Sequence, residues 1–454
     1  MINANHFGKN FTWGVATSAH QTEGAYLEDG KDMSIWDVFS SVPGKIASNQ
    51  NANVACDFYH HYMQDIILMH YLNIRNFRFS ISWPRVLPGG SGAVNEKGLD
   101  FYDRLIDFCL EMNIEPWVTL YHWDLPQALE LKGGWTNRDI INWFTDYVVL
   151  CAKKFGDRVK NWMVLNEPMV FTGAGYFLGT HAPGKKGLSN FLSATHHAVL
   201  CQALGARAIK SIDGSSNVGT TFSCSLIEAL DDTRLNMEAA QKTDVITNRL
   251  FIEPLLGLGY PVQDLKILHQ LEKYIYQDDE KLMQFPMDFI GIQNYTREIV
   301  RHSRFIPYVN AKVVQASLRN VETTTMDWEV YPESIYYMLK KFSAYDGVNN
   351  IIITENGAAF TDHFIDGKIN DVKRISYLNN CLEQLLRAQA EGVPVTGYFA
   401  WTFTDNFEWA EGYTQRFGLV YVDYLTQRRY VKSSGHWWRE FLSTLSLPVL
   451  QKAI

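Results

Sequence analysis

Two glutamates stand at the ends of apolar runs, each beside an asparagine: Glu167 in MVLNEPM and Glu355 in IIITENG. Carboxyl groups that face one cleft can divide acid and base work, one protonated and one ionised, if their surroundings push their pKa values apart. Cleavage of a glycosidic bond needs that division: one group protonates the leaving oxygen, and the other attacks the sugar or activates water. Similar runs end in further polar or aromatic residues. Gln21 follows the first, Arg78 lies on the second, His122 ends the third, Asn294 and Tyr295 end the sixth, and Trp401 ends the eighth. Arg78 could hold one carboxylate ionised, Tyr295 could donate a hydrogen bond to the same group, and Asn166 could bind a sugar hydroxyl. The fifth run offers only Ser223 and Cys224, which read as structural.

These residues need a scaffold that gathers distant strand ends. Eight short apolar runs, at 11–19, 74–82, 116–123, 159–167, 217–224, 288–295, 350–356 and 394–402, have the length and composition of strands. Between them lie stretches with helical spacing. Leu99, Tyr102, Ile106 and Cys109 step by three and four, as do Ile375, Leu378, Leu382 and Leu385, and helices also fit 57–71, 137–155, 190–211 and 333–343. Eight alternating strands and helices predict an α/β fold, a closed (β/α)8 TIM barrel. Such barrels place chemistry at the C-terminal strand ends, so Glu167 and Glu355 would share one mouth. The stretches 20–55, 169–190 and 296–331 lack clear periodicity and read as long βα loops above that mouth. No linker, repeat or low-complexity segment divides the 454 residues, so 1–454 reads as a single domain.

Composition narrows the class. The net charge of −8 is spread along the chain without a basic stripe, which argues against nucleic acid as a partner. No apolar stretch reaches the roughly 18 residues of a membrane span. The N-terminus lacks the basic start and apolar core of a signal peptide, and the six cysteines are scattered without metal-ligand spacing. These features suit a cytoplasmic protein with reduced thiols, with no membrane partner and no metal.

The motifs then resemble glycoside hydrolase family 1, and within it the bacterial β-glucosidases. FTWGVATSAHQTEG, RFSISWPRVLP, LYHWDLPQAL, LNEP, WEVYPES, ITENG and NFEWAEGYTQRFGLVYVDY follow the family's order from end to end. The resemblance implies a retaining β-glucosidase that takes terminal β-D-glucosyl residues from cello-oligosaccharides or aryl and alkyl β-glucosides, without a cofactor. It implies Glu167 as general acid and base and Glu355 as nucleophile. It also implies Gln21, His122, Asn166, Glu408 and Trp409 as sugar ligands, Trp401 as the sugar's floor, and Trp328 beside the leaving group. Arg78, Asn294 and Tyr295 would orient and charge-stabilise Glu355. His20 and Asp327 depart from the family's usual residues at the rim. Two alternatives differ at identifiable positions. A 6-phospho-β-glucosidase would resemble its own branch in carrying lysine and tyrosine where Gln415 and Phe417 stand, and serine in place of Glu408. A non-catalytic sugar-binding barrel would be expected to lack one of the two carboxylates.

Overall fold

The computed structural model describes residues 2–445. Eight parallel strands close into a barrel in chain order: β1 Thr12–Ala16, β2 Asn76–Ser80, β3 Glu115–Tyr121, β4 Asn161–Asn166, β5 Asn217–Ser223, β6 Phe289–Gln293, β7 Ile351–Asn356 and β8 Val395–Trp401. Each pairs with the strands before and after it, and β8 returns to β1. A helix follows each strand: α1 Phe58–Tyr71, α2 Glu96–Glu111, α3 Ile140–Phe155, α4 Leu188–Ile212, α5 Arg234–Asp244, α6 Glu333–Ser343, α7 Val372–Ala390 and α8 Ser433–Ser443. The spacing of apolar residues locates six of these helices. It does not locate α5, where only Ala239 and Ala240 are buried, so the usual apolar stripe is missing. Nor does it locate α8, whose Ser-Ser-Gly start is poor in helix formers.

Both faces of the barrel wall are dry, which is why its strands read as continuous apolar runs. On β7, Ile351 and Ile353 point outward into the layer under the helices, and Ile352 points inward. Trp117, Met163, Phe289 and Phe399 join Ile352 to fill the barrel, so it is a packed core. Glycines make room in that wall. A Cβ on Gly291 would lie 2.7 Å from Thr221 Cγ2 and 2.9 Å from Thr354 Cγ2.

Two strands break their regular pairing near their C-terminal ends. The register of β4 against β5 shifts between Met163 and Asn166, and that of β7 against β6 shifts between Ile353 and Glu355. Such irregularities re-aim side chains that strict alternation would point elsewhere. They fall on the two strands that deliver Glu167 and Glu355.

The non-periodic stretches have structure of their own. After Glu167 the chain makes a short helix, Pro168–Thr172, and a wide π turn, Gly173–Leu178. Segments Leu226–Ala229, Arg297–His302 and Ala311–Val313 form a small separate sheet. At the C-terminal side, Lys432 bonds both Asp362 and Asp405, and Arg416 bonds Asp405 at 2.6 Å. Lys432, Asp362 and Asp405 are all without exposed side-chain surface, so this network pins the segments after β7 and β8 to the start of α8. Among the described residues no helix is long and apolar enough to cross a membrane.

Candidate active site

A cavity of about 290 Å³ opens at the C-terminal ends of the strands, and both Glu167 and Glu355 line it. Of the other residues singled out above, His122, Tyr295, Trp328, Trp401, Glu408 and Trp409 also line it. Arg78, Asn166 and Gln21 are fully buried.

Glu355 sits in a dense set of donors. The Arg78 guanidinium forms an ion pair with its Oε1. Gln293 Nε2 donates to the same oxygen at 2.8 Å, and the Tyr295 hydroxyl donates to Oε2 at 2.7 Å. Burial pushes the Glu355 carboxyl up, and the Arg78 charge and the Tyr295 hydrogen bond oppose that push. Glu167 has no comparable set. Its backbone adopts the left-handed region, φ 47°, where the strand turns into the Pro168 helix. Burial raises its carboxyl well above the usual range, and the charge on Glu355 adds to the effect. The Ser223 hydroxyl beside it pulls the other way. With one proton between the two groups, Glu167 holds it and Glu355 stays ionised.

Asn166 links the two halves of the site. Its Oδ1 accepts from Arg78, from Gln293 at 2.6 Å and from the Thr221 hydroxyl at 3.0 Å. That fixes the amide's orientation, so Nδ2 donates to His122 Nε2 at 3.0 Å. The ring proton of His122 therefore sits on Nδ1, a buried atom with no protein partner. Burial, with the nearby Arg78 charge, holds this imidazole well below its usual range, hence neutral.

On the far wall, Trp401 and His122 lie nearly parallel with ring centres 6.0 Å apart, and Trp409 stacks on His20 at 5.9 Å. Gln21 donates to the Phe407 carbonyl at 3.0 Å and reaches Glu408 Oε2 at 3.5 Å. Burial and the Glu355 charge push the Glu408 carboxyl up to about 8. Trp328 packs near Tyr295 and Phe417 at the other side of the cavity.

Two expectations need correction. Asn294 does not reach Glu355 with its side chain. Its Nδ2 donates outward, to the Cys224 carbonyl at 2.9 Å and the Ser334 hydroxyl at 3.0 Å. Side chains alternate along β6, so Phe289, Gly291, Gln293 and Tyr295 face inward and Asn294 faces the helices. Gln293 makes the amide contact instead. The period-two pattern of FIGIQNY carried that signal, because Gln293 shares the parity of Phe289 and Tyr295. Ser223 is likewise more than structural, since it lines the cavity beside Glu167. Glu298 also lines the cavity and had no signal, because it follows the strand in a stretch without periodicity.

A (β/α)8 barrel whose mouth holds two buried carboxyl groups in unequal surroundings has the make-up of a glycoside-cleaving enzyme. The chain belongs to glycosyl hydrolase family 1, whose model matches residues 3–446. It is 43% identical to β-glucosidase A of Thermotoga maritima, over 96% of this chain and 98% of that one. It is also 43% identical to β-glucosidase A of Acetivibrio thermocellus, with the same coverage. The structure superposes on a family 1 β-glucosidase from T. maritima with a TM-score of 0.93 at 41% identity, covering 97% of this chain and 99% of that one. A T. maritima β-glucosidase in complex with glucoimidazole superposes with a TM-score of 0.92 at 42% identity, with the same coverage.

Proposed function

We propose that this protein is a retaining β-glucosidase and that its whole chain acts as one catalytic unit. The observation that carries the reading is the unequal treatment of the two cavity carboxyls: three donors converge on Glu355, whereas Glu167 is buried without a cation of its own. An ionised Glu355 attacks the anomeric carbon while Glu167 gives its proton to the leaving oxygen. The bond to the leaving group breaks, and a glycosyl ester forms on Glu355. Glu167, now ionised, takes a proton from water, which attacks the same carbon and frees the sugar and Glu355.

In this scheme Gln21, His122, Asn166, Glu408 and Trp409 present polar atoms to the hydroxyls of the non-reducing sugar, and Trp401 supports its face. Trp328 flanks the leaving group. Arg78, Gln293 and Tyr295 keep Glu355 charged. The substrate is a small β-glucoside. A phosphorylated sugar is disfavoured, because Gln415, Phe417 and Glu408 supply no cation at the positions that would meet the phosphate. Six buried free thiols suit a reducing, cytoplasmic setting.

The test uses purified protein and a panel of nitrophenyl glycosides. The expected result is fastest release from the β-glucoside, with Glu355→Gly reduced to background and partly rescued by azide as a replacement nucleophile. Full activity in Glu355→Gly would overturn the assignment, as would preference for a 6-phosphoglucoside.

A further inference from the structure

Trp123 follows His122 just past the end of β3, and both line the catalytic cavity. Strand geometry alone would not allow that, because successive side chains of a strand point to opposite faces. The backbone of Trp123 breaks the alternation: its φ is 75°, in the left-handed region. Glycine reaches that region freely, whereas for a bulky aromatic residue it is rare and costs about 1–3 kcal/mol. Strain of this kind survives where the surroundings enforce it, and it gathers at functional sites. The buried indole therefore holds its place against a local preference.

Its ring wedges between Trp409, with centres 4.4 Å apart, and His181, at 5.8 Å. Its one polar atom, Nε1, donates to the Asn166 carbonyl at 2.9 Å. That carbonyl belongs to the peptide that leads into Glu167. The N–H of the same peptide donates to the Thr221 carbonyl at 3.0 Å. One peptide plane is thus gripped at both ends, by the indole on one side and by β5 on the other. Beyond it, the Glu167 carbonyl accepts from the Val170 N–H at 2.9 Å. These bonds matter because Glu167 has no cation of its own and also sits in the left-handed region, at φ 47°. They set the direction in which its carboxyl leaves the backbone, and Trp123 contributes one of them from its side chain.

We infer that Trp123 is a positioning residue for proton transfer: its indole N–H fixes the Asn166–Glu167 peptide so that the Glu167 carboxyl meets the leaving oxygen. The inference rests on the β-glucosidase reading above, which gives Glu167 that task. A displaced acid costs most where protonation is needed most. Alkoxides and phenolate leave with difficulty unless they are protonated, whereas dinitrophenolate, a weak base, departs unaided. A loss of sugar binding would instead fall on every substrate alike, because the glucosyl part is the same.

The experiment compares kcat/KM of the purified full chain on methyl, phenyl and dinitrophenyl β-D-glucosides. This constant covers the steps up to transfer of the sugar to Glu355, in which the acid acts. Trp123→Phe removes the donor and keeps an aromatic plate. A second variant carries benzothienylalanine in place of Trp123, which retains the bicyclic outline and puts sulfur where the N–H was. Both should lose about 10- to 100-fold on the methyl and phenyl glucosides, the cost of a misplaced catalytic group, and less than about threefold on the dinitrophenyl glucoside. The ratio between substrates is insensitive to the amount of folded enzyme, and the near-isosteric variant carries the test if Trp123→Phe does not fold. A loss in the benzothienyl variant no larger on the phenyl than on the dinitrophenyl glucoside would overturn the inference. Failure of the unaltered chain to cleave any β-glucoside would instead sink the β-glucosidase reading itself.

Discussion

Glu408 carries two demands that conflict. A sugar ligand must be near the glycone, and that puts the carboxyl in a dry pocket close to Glu355, where its pKa rises to about 8. In the unfolded chain the group titrates near 4.5. Below pH 4.5 both states hold the proton, and stability is unaffected. Between 4.5 and 8 the unfolded chain releases the proton that the folded one retains, so stability falls as pH rises through this window. Glu408→Gln removes the titration. At pH 7 the variant should be more stable by up to about 3 kcal/mol, at roughly 1.4 kcal/mol per pH unit. Its thermal-unfolding advantage should grow from pH 4.5 to 8 and then level off. Its kcat/KM for a β-glucoside at pH 7 should fall by roughly 2- to 10-fold, the worth of a hydrogen bond to a neutral group. Equal Tm values for the two proteins across that pH range would show that the carboxyl is not held protonated.

The strand is the element that decides which residue does what. Composition and spacing made the eight strands legible, because a wall buried on both faces must be apolar throughout. The same uniformity hides which side chains face inward, and the family resemblance implies Asn294 for the contact with Glu355. Parity on β6 assigns the contact to Gln293. The register shifts on β4 and β7 could not be read from the sequence at all, because they depend on pairing with neighbouring strands. Helix α5 was illegible for a different reason: it buries two alanines and little else. The parity argument predicts distinct behaviour for adjacent substitutions. Gln293→Leu removes a donor from ionised Glu355, so the Glu355 pKa rises and the acidic limb of the kcat/KM profile moves up by about one to two pH units. Asn294→Leu leaves that limb in place and lowers stability by about 1–3 kcal/mol, because the Cys224 carbonyl and Ser334 lose a buried partner. A shifted limb in Asn294→Leu, with none in Gln293→Leu, would reverse the assignment.

At the scale of the whole molecule, the chain's later segments are fastened by charge. Lys432 bridges Asp362 and Asp405, and Asp405 precedes the Glu408 and Trp409 segment by only a few residues. Lys432→Met should strip the shared cation from two dry carboxylates, leaving Asp362 with Arg374 and Asp405 with Arg416, and cost about 1.5–3 kcal/mol in urea denaturation; a loss under 1 kcal/mol would mean that the network is incidental. The domain count, by contrast, was an inference from what the sequence lacked, and no residue announced it. Arg78 shows what such fastening achieves at the centre of the barrel. It donates to the Thr119 hydroxyl at 3.1 Å and the Thr354 carbonyl at 3.2 Å while also holding Glu355 and Asn166. All of these bonds are made within the protein itself, by side chains and backbone of the barrel wall. Folding has therefore already frozen this corner, and an arriving sugar surrenders mainly its own tumbling. Rigid mimics of the ring should then be ranked by how well their outline and charge match a fixed mould, which makes this corner a sound starting point for inhibitor design.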